Sequence, residues 1–390
     1  MKKWILAASV AIILSPFVVQ AQVDPGVDPN VKPMQQHEFV VGSDWAVSPT
    51  LSFTARYARK RLDNTVEDIG ASDSLGFYIG NPGPGYGDVL HRTLYSAGFT
   101  APLCSSCPIQ PKAVRNYDGL ELRVTKNFGS KWFVSAFYTY SRLYGNYPGL
   151  TSTNISDGSG GRQSPNNNRS FDMPQMQFTA YGKPFSGPLP TDRPNTFTAF
   201  GYYRQKWFAG ESNIGFSQSI YQGTAVSTCW PTLASTSSCQ FVEDQGNWVN
   251  LHRDAANGNV VVDSITHGRR TPAFIQTNAN LSHYVSVSKT HEARKFGGEV
   301  NFYNLFNQHS VTSYYDLPIT AGTYPTDKTN PTGYDYKSLL GGWDYVATSN
   351  SAGGGPTGAA PQLKTVSNRY GQPALFQNAR QLRFKVAFIF

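Results

Sequence analysis

The sequence closes on Gln381-Leu-Arg-Phe-Lys-Val-Ala-Phe-Ile-Phe390, and this stretch limits the fold more than any other. Leu382, Phe384, Val386, Phe388 and Phe390 fall on one face of an extended strand. Gln381, Arg383 and Lys385 fall on the other. Strict alternation of this kind gives one apolar and one polar face. Its length matches the roughly 9–11 residues that a tilted strand needs to cross a bilayer. A greasy strand that stops on an aromatic residue suits a wall with hydrocarbon on one side and a polar interior on the other.

Eight further segments alternate in the same way. Phe39, Val41, Trp45 and Val47 oppose Glu38 and Asp44. Leu51, Phe53, Ala55 and Tyr57 oppose Ser52, Thr54 and Arg56. Leu120, Leu122 and Val124 oppose Glu121, Arg123 and Thr125. Trp132, Val134, Ala136, Tyr138 and Tyr140 oppose Ser135 and Thr139. Phe197, Ala199 and Tyr203 share a face, although Phe200 and Tyr202 lie opposite and blur the pattern. Ile214, Phe216 and Ile220 oppose Asn213, Gly215 and Ser217. Ile275, Ala279, Leu281, Val285 and Val287 oppose Gln276, Asn278, Asn280 and Ser282. Phe296, Val300 and Phe302 oppose Glu299 and Asn301. With the last strand this makes about nine, each longer than the usual five or six residues of soluble sheets.

The connections alternate too. Short turns are expected at Ser48-Pro49, at Gly129-Ser130, around Gln205-Lys206 and from Lys289 to Ala293. Long polar stretches separate them, at 63–116, 143–192, 222–273 and 308–380. Short turns on one side and long loops on the other are the pattern of outer-membrane barrels, whose short turns are periplasmic. The expected fold is therefore all-β, a transmembrane antiparallel β-barrel segment with long external loops. The final strand ends at the periplasm, so the first, near Glu38, begins outside. Nine is odd, whereas single-chain bacterial barrels have even strand numbers. Gln240 to Asn250 and Asn259 to Thr266 are candidates for hidden strands, though both sit in one loop, where a local hairpin suits them better.

Composition agrees with this class. Aromatic residues reach 14% and charged residues only 15%, which fits strands with aromatic girdles joined by polar loops. The N-terminus reads as a secretory signal: Lys2 and Lys3, an apolar run from Ile5 to Val19, and a cleavage site after Ala21. Segments 1–21 as signal, 22–37 as a Pro-rich extension and 38–390 as barrel follow from this reading. The net charge of +8 is spread without a basic stripe, so no nucleic-acid partner is expected. The cysteines form two close pairs, Cys104 with Cys107 and Cys229 with Cys239, and in an exported chain these read as loop disulfides.

Catalytic, cofactor and metal motifs are lacking in the sequence. There is no Gly-x-Ser-x-Gly elbow and no His-Glu-x-x-His. Asp244, His252 and Asp254 share one loop but read as ordinary loop polars. His291-Glu292 falls in a turn. Asn81 to Gly87 lacks the Lys-Ser/Thr of a phosphate loop, and Asp157 to Gly161 lacks the glutamate of a calcium loop. Trp230, Trp248, Tyr314 and Tyr315 suit a lipid-interface girdle better than a sugar-stacking platform.

Three stretches resemble an Oar-like TonB-dependent outer-membrane receptor, in its C-terminal barrel part. They are Glu38-Phe-Val-Val-Gly42 with Arg61-Leu-Asp63 and Glu67-Asp-Ile-Gly70; Arg193-Pro-Asn-Thr-Phe-Thr-Ala-Phe-Gly-Tyr-Tyr203; and Asn301-Phe-Tyr-Asn-Leu-Phe-Asn307. The resemblance runs over 38–390. It implies a 22-stranded barrel filled by a plug, importing a nutrient with energy delivered by TonB. No plug or TonB-contacting segment precedes these strands, so the expectation is a truncated receptor-type barrel. An open arc must close on itself, pair with a complementary barrel fragment or fail to insert, because unpaired backbone groups in hydrocarbon cost several kcal/mol each. The expected partners are outer-membrane lipid and, through the C-terminal strand, the barrel-assembly machinery. The alternative is a small structural or adhesive barrel that binds a partner through its loops.

Overall fold

The computed structural model describes residues 26–72, 76–83, 103–129, 131–149, 171, 173–207, 210–231, 239–288, 290, 294–319, 324–330, 333–351 and 366–390. The signal segment 1–21, the Asp157–Gly161 stretch, His291-Glu292 and Pro84 to Gly87 lie outside these residues.

One antiparallel sheet dominates. Its long strands are β1 (Gln35–Ser48), β2 (Leu51–Asn64), β3 (Arg115–Phe128), β4 (Trp132–Gly145), β5 (Asn195–Trp207), β6 (Gly210–Tyr221), β7 (Phe274–Ser286), β8 (Lys295–Tyr303) and β9 (Gln381–Ile389). Each pairs with its neighbours in sequence, so the sheet is a meander with β1 and β9 at its two ends. A short strand at Gly187–Pro188 adds to the far end of β4. The register keeps the alternating faces aligned across strands. Leu382 sits opposite Phe302, Phe384 opposite Val300, and Phe388 opposite Phe296. Val300 in turn faces Leu281, and Leu281 faces Ile214. A slip of one residue anywhere would turn polar side chains onto the apolar face.

Two boundaries differ from the sequence reading. Gln205 and Lys206 lie inside β5, because their pairing with Ser212 and Glu211 carries the ladder on to Trp207. The first long strand starts at Gln35, inside the supposed extension, since Gln35 and Gln36 still pair with β2. Gly26–Val27 runs parallel to Gly76–Gly80 in a small separate sheet. Of the two candidate hidden strands, Asn259 to Thr266 forms one, as Val260–Thr266. Its hairpin partner is Trp248–Arg253, which overlaps Gln240 to Asn250 only at its end, because the start of that stretch, Cys239–Phe241, pairs with Cys229–Pro231 instead.

Burial is inverted relative to a water-soluble domain. The outward sheet face is apolar and open: Leu281, Phe296, Phe384, Val386 and Phe388 are all exposed, Phe384 and Val386 at 74%. Near the short turns its rings stack, Phe128 on Trp132 with centroids 3.6 Å apart and Trp45 on Phe53 at 5.3 Å. The buried core lies in the long connections instead. Ile69 and Cys107 come from the first, Met173, Phe178 and Ala180 from the second, Trp230, Val242, Val249 and Val260 from the third, and Leu339, Leu340, Trp343 and Tyr345 from the fourth. Two short helices complete this head, α1 (Tyr336–Gly341) and α2 (Tyr345–Asn350). Asp335 and Asp344 cap them by accepting the amides of Ser338 and Ala347. Among the described residues, no helix is long and apolar enough to cross a membrane.

Candidate functional site

The four long connections could have been separate strings. Buried polar contacts tie them into one body. Gln240 is 0% exposed and its side chain serves three partners. Its Nε2 donates to the carbonyls of Thr179 at 3.0 Å and Leu339 at 2.8 Å. Its Oε1 accepts the Trp343 indole N–H at 3.0 Å. One amide thus links the second, third and fourth connections. Tyr314, Arg269, Trp248 and Tyr370 stack in a pile, with the Arg269 guanidinium 4.0 Å from the Trp248 ring and 5.1 Å from Tyr314. The Trp248 and Tyr370 rings are parallel at 4.5 Å.

Other contacts fasten the head to the sheet. Asp192, 1% exposed, accepts the Leu143 amide of β4 at 2.6 Å and the Arg270 guanidinium at 2.6 Å. Arg270 also donates to the Gly223 carbonyl at 3.1 Å. At the far end of β8, Asn304 and Asn307 both take positive φ, at 54° and 53°. Asparagine tolerates that conformation better than other non-glycine residues. The Asn304 Nδ2 donates to the carbonyls of Gln308 and Asn378, and its Oδ1 accepts the Gln308 amide. Asn307 Oδ1 accepts the Arg380 amide at 2.9 Å.

A recess of ≈ 310 Å³ opens where head and sheet meet. Arg193, Thr271 and Ser313 line it together with Val226, Phe241 and Tyr314, a wall of mixed polar and apolar character. Arg193 donates to the Gln222 carbonyl at 2.9 Å, and burial lowers its pKa below the ordinary guanidinium value. Burial also raises the carboxyl pKa of Glu243 in the head, and raises the phenol pKa values of Tyr324 and Tyr370. A larger cavity of ≈ 580 Å³ lies on the inner face of β1 to β3. Its wall is charge-paired: Lys60 meets Glu38 at 3.0 Å, and Arg56 Nε donates to Glu121 at 2.9 Å. Nearer the short turns, the inner face carries Phe133, Phe137, Phe200 and Tyr202 in mutual contact, with Phe133 and Tyr202 5.8 Å apart. This inward cluster is why β5 alternated poorly in sequence.

The loop residues singled out in sequence are dispersed or buried. Cys104 and Cys107 are bonded to one another. Cys229 is disulfide-bonded, and its strand pairs with Cys239–Phe241. The Cys239 side chain lies outside the described residues. His252 pairs with Asp263 at 2.8 Å, not with its loop neighbours. Asp244 accepts the Ser186 amide and Asp254 caps its own turn. Among the described residues, no group of three His, Cys, Asp or Glu side chains is placed to hold a metal. The girdle reading fails for Trp230 and Trp248, which are buried in the head because the head has a core of its own. Gln240 and Asp192 gave no sequence signal: lone polar residues in long loops look like solvated ones.

No family model matches the chain. Over 371 residues it is 26% identical to the TonB-dependent transporter Oar of Myxococcus xanthus, covering 93% of this chain and 29% of Oar. The chain thus spans under a third of that relative. Among solved structures it is similar to the siderophore receptor PiuA from Acinetobacter baumannii, with a TM-score of 0.36 and 14% identity over 73% of this chain and 26% of PiuA. The P. aeruginosa receptor FpvA bound to heterologous pyoverdines gives a TM-score of 0.34 and 11% identity, over 73% of this chain and 25% of FpvA. Scores at this level do not establish a shared fold. In sequence, and along nearly all its length, the chain is similar to the barrel part of an Oar-like TonB-dependent receptor.

Proposed function

We propose that this chain forms part of the wall of an outer-membrane β-barrel of the TonB-dependent receptor type, with its long connections folded into an external head that meets the ligand. The observation that carries this is the inverted burial: an apolar, exposed outward face on a meander of long strands, and a packed core confined to the loops. Water would penalise such a face by about 25 cal/mol per Å² of apolar surface, whereas hydrocarbon does not. The packed core shared by the connections favours a preformed recess. The recess beside Arg193, with polar and apolar walls, is the place where a ligand would first be held.

The end strands support a larger wall. Among the described residues, β1 and β9 each pair on one side only within the sheet, and a free edge in lipid is costly. Further strands of receptor-type barrel satisfy those edges, whichever polypeptide supplies them. Import driven through TonB is a property of whole transporters, and on this reading the chain contributes wall and external head to it.

The test is fractionation after expression in a host with an outer membrane. The chain is expected in the outer-membrane fraction and to resist extraction by urea. Recovery as a soluble periplasmic protein, or release by urea, would overturn the assignment.

A further inference from the structure

The outward face changes character at one level. Along β2, β3 and β4 the outward residues above Lys126, which sits by the short turns, are apolar or aromatic up to the row Tyr57, Leu120, Tyr140. The next row across the sheet is Arg59, Asp118, Arg142, since Arg59 pairs with Asp118 and Asp118 with Arg142. Arg61 lies on the same face one step further out. This row sits at a particular height. Arg59 is eight and Arg61 ten residues above Leu51 at the base of β2, and Arg142 is ten above Trp132 at the base of β4. Eight to ten residues span about 26–33 Å of strand. At a tilt of about 40° that projects to about 20–25 Å, close to the height of the apolar band of an outer-membrane barrel. The arginines therefore fall at the outer boundary of the hydrocarbon, on the side that faces lipid.

Three guanidinium groups lie around a single carboxylate there. Asp118 is already engaged: Arg61 donates to its Oδ2 at 2.7 Å and the Tyr57 hydroxyl to its Oδ1 at 2.7 Å. Arg61 is further held by the Tyr117 carbonyl at 3.0 Å. Arg59 approaches Asp118 only to 4.0 Å, with its side chain 56% exposed. Arg142 lies over the Tyr144 ring at 4.5 Å and makes no ion pair among the described residues. Arg59 and Arg142 flank Asp118 on adjacent strands, so their backbones are about 10 Å apart. Two long side chains can converge on one small anion across that gap.

We propose that Arg59 and Arg142, braced by Arg61 and Asp118, hold the phosphate of a lipid in the outer leaflet. The proposal rests on the barrel reading above. Planar guanidinium groups match phosphate oxygens in pairs, and the apolar rows directly below accept the acyl chains of the same molecule. That continuity favours a lipid-anchored phosphate over a free anion, which would have no reason to bind on the lipid-facing side.

The experiment places the full chain, purified from outer membranes, in phosphatidylcholine vesicles. The vesicles contain either a diphosphorylated disaccharide lipid or the same lipid after phosphatase treatment. Retained lipid is counted by native mass spectrometry. Insertion into plain phosphatidylcholine is read first by heat-modifiable gel migration, and its absence overturns the barrel reading and this inference with it. With insertion secured, the native chain is expected to retain the phosphorylated lipid about tenfold more than the stripped one. R59Q/R142Q should remove that preference and still insert, R59K/R142K should keep part of it, and K126Q near the opposite interface should leave it unchanged. Equal retention of both lipids, or an unchanged preference in R59Q/R142Q, would overturn the proposal. So would displacement of the lipid by excess inorganic phosphate, which would mark a site for a free anion.

Discussion

At the scale of single residues, the head depends on polar side chains in full burial. Gln240 satisfies two carbonyls and one indole N–H that have no water to turn to. Gln240→Leu removes all three partners at once. Each buried group left unsatisfied costs about 1–3 kcal/mol, so the variant should lose the packed head while the sheet persists. Limited proteolysis of the 222–273 and 308–380 connections in intact membranes would show it, and unchanged protection would contradict the role. Asp192→Asn should behave differently. It leaves the Arg270 guanidinium without its carboxylate, a loss of about 3–5 kcal/mol for a buried pair, and it loosens the junction of β4, β5 and the head together. Glu243 supplies a pH effect. Burial raises its carboxyl pKa, so its stabilising contribution is present below the ordinary carboxylate range and is lost as pH rises through the raised folded value. Glu243→Gln should therefore match the native chain in acid and become the more stable of the two above that value, measured as the difference in urea midpoint across pH.

At the scale of elements, turns and strands were legible in sequence to different degrees. The period of two in Leu382 to Phe390 and in Trp132 to Tyr140 survives because one face of each strand meets one environment throughout. β5 was harder to read, since Phe200 and Tyr202 fill the inner face with rings that stack on Phe133 and Phe137. Of the head, only the Cys104–Cys107 bridge and the presence of a hairpin in the third connection were legible; its packing was not. Its core residues, such as Met173, Val242 and Leu340, come from four connections at irregular spacing, and no local period records which of them will meet. The Asn-Leu-Phe-Asn run could be recognised, but its physical basis appears only in three dimensions. Asn304 and Asn307 adopt the left-handed conformation and clip β8 to the segment entering β9. Asn304→Ala forfeits the bonds to Gln308 and Asn378 and adds backbone strain, a loss of about 2–4 kcal/mol. Asn304→Gly keeps the backbone freedom and should recover part of it. Hydrogen exchange at the β8–β9 pairing would separate the two variants, and equal exchange in both would dismiss the conformational part.

At the scale of the whole molecule, the decisive question is what solvent the outward face sees. Leu122 and Arg123 are adjacent on β3, midway between the Phe128 end and the Asp118 row, with Leu122 outward and Arg123 inward over the Phe137 ring at 4.8 Å. Exchanging them, L122R/R123L, keeps composition, net charge and strand propensity. It alters only which face carries the charge. In lipid the outward arginine would sit near the midplane, where such a residue costs about 2–4 kcal/mol. The lost inward cation–π contact adds about 0.5–1 kcal/mol. In water the same arginine would simply be solvated, and the exchange would cost little beyond that contact. The urea midpoint of the membrane-inserted chain should therefore fall by the larger sum, and R123L alone by the smaller. If L122R/R123L loses no more than R123L, the outward face is not in hydrocarbon. The wall function and the phosphate site at its upper margin would then fall together, while the head, whose core owes nothing to the membrane, would still stand as a folded unit.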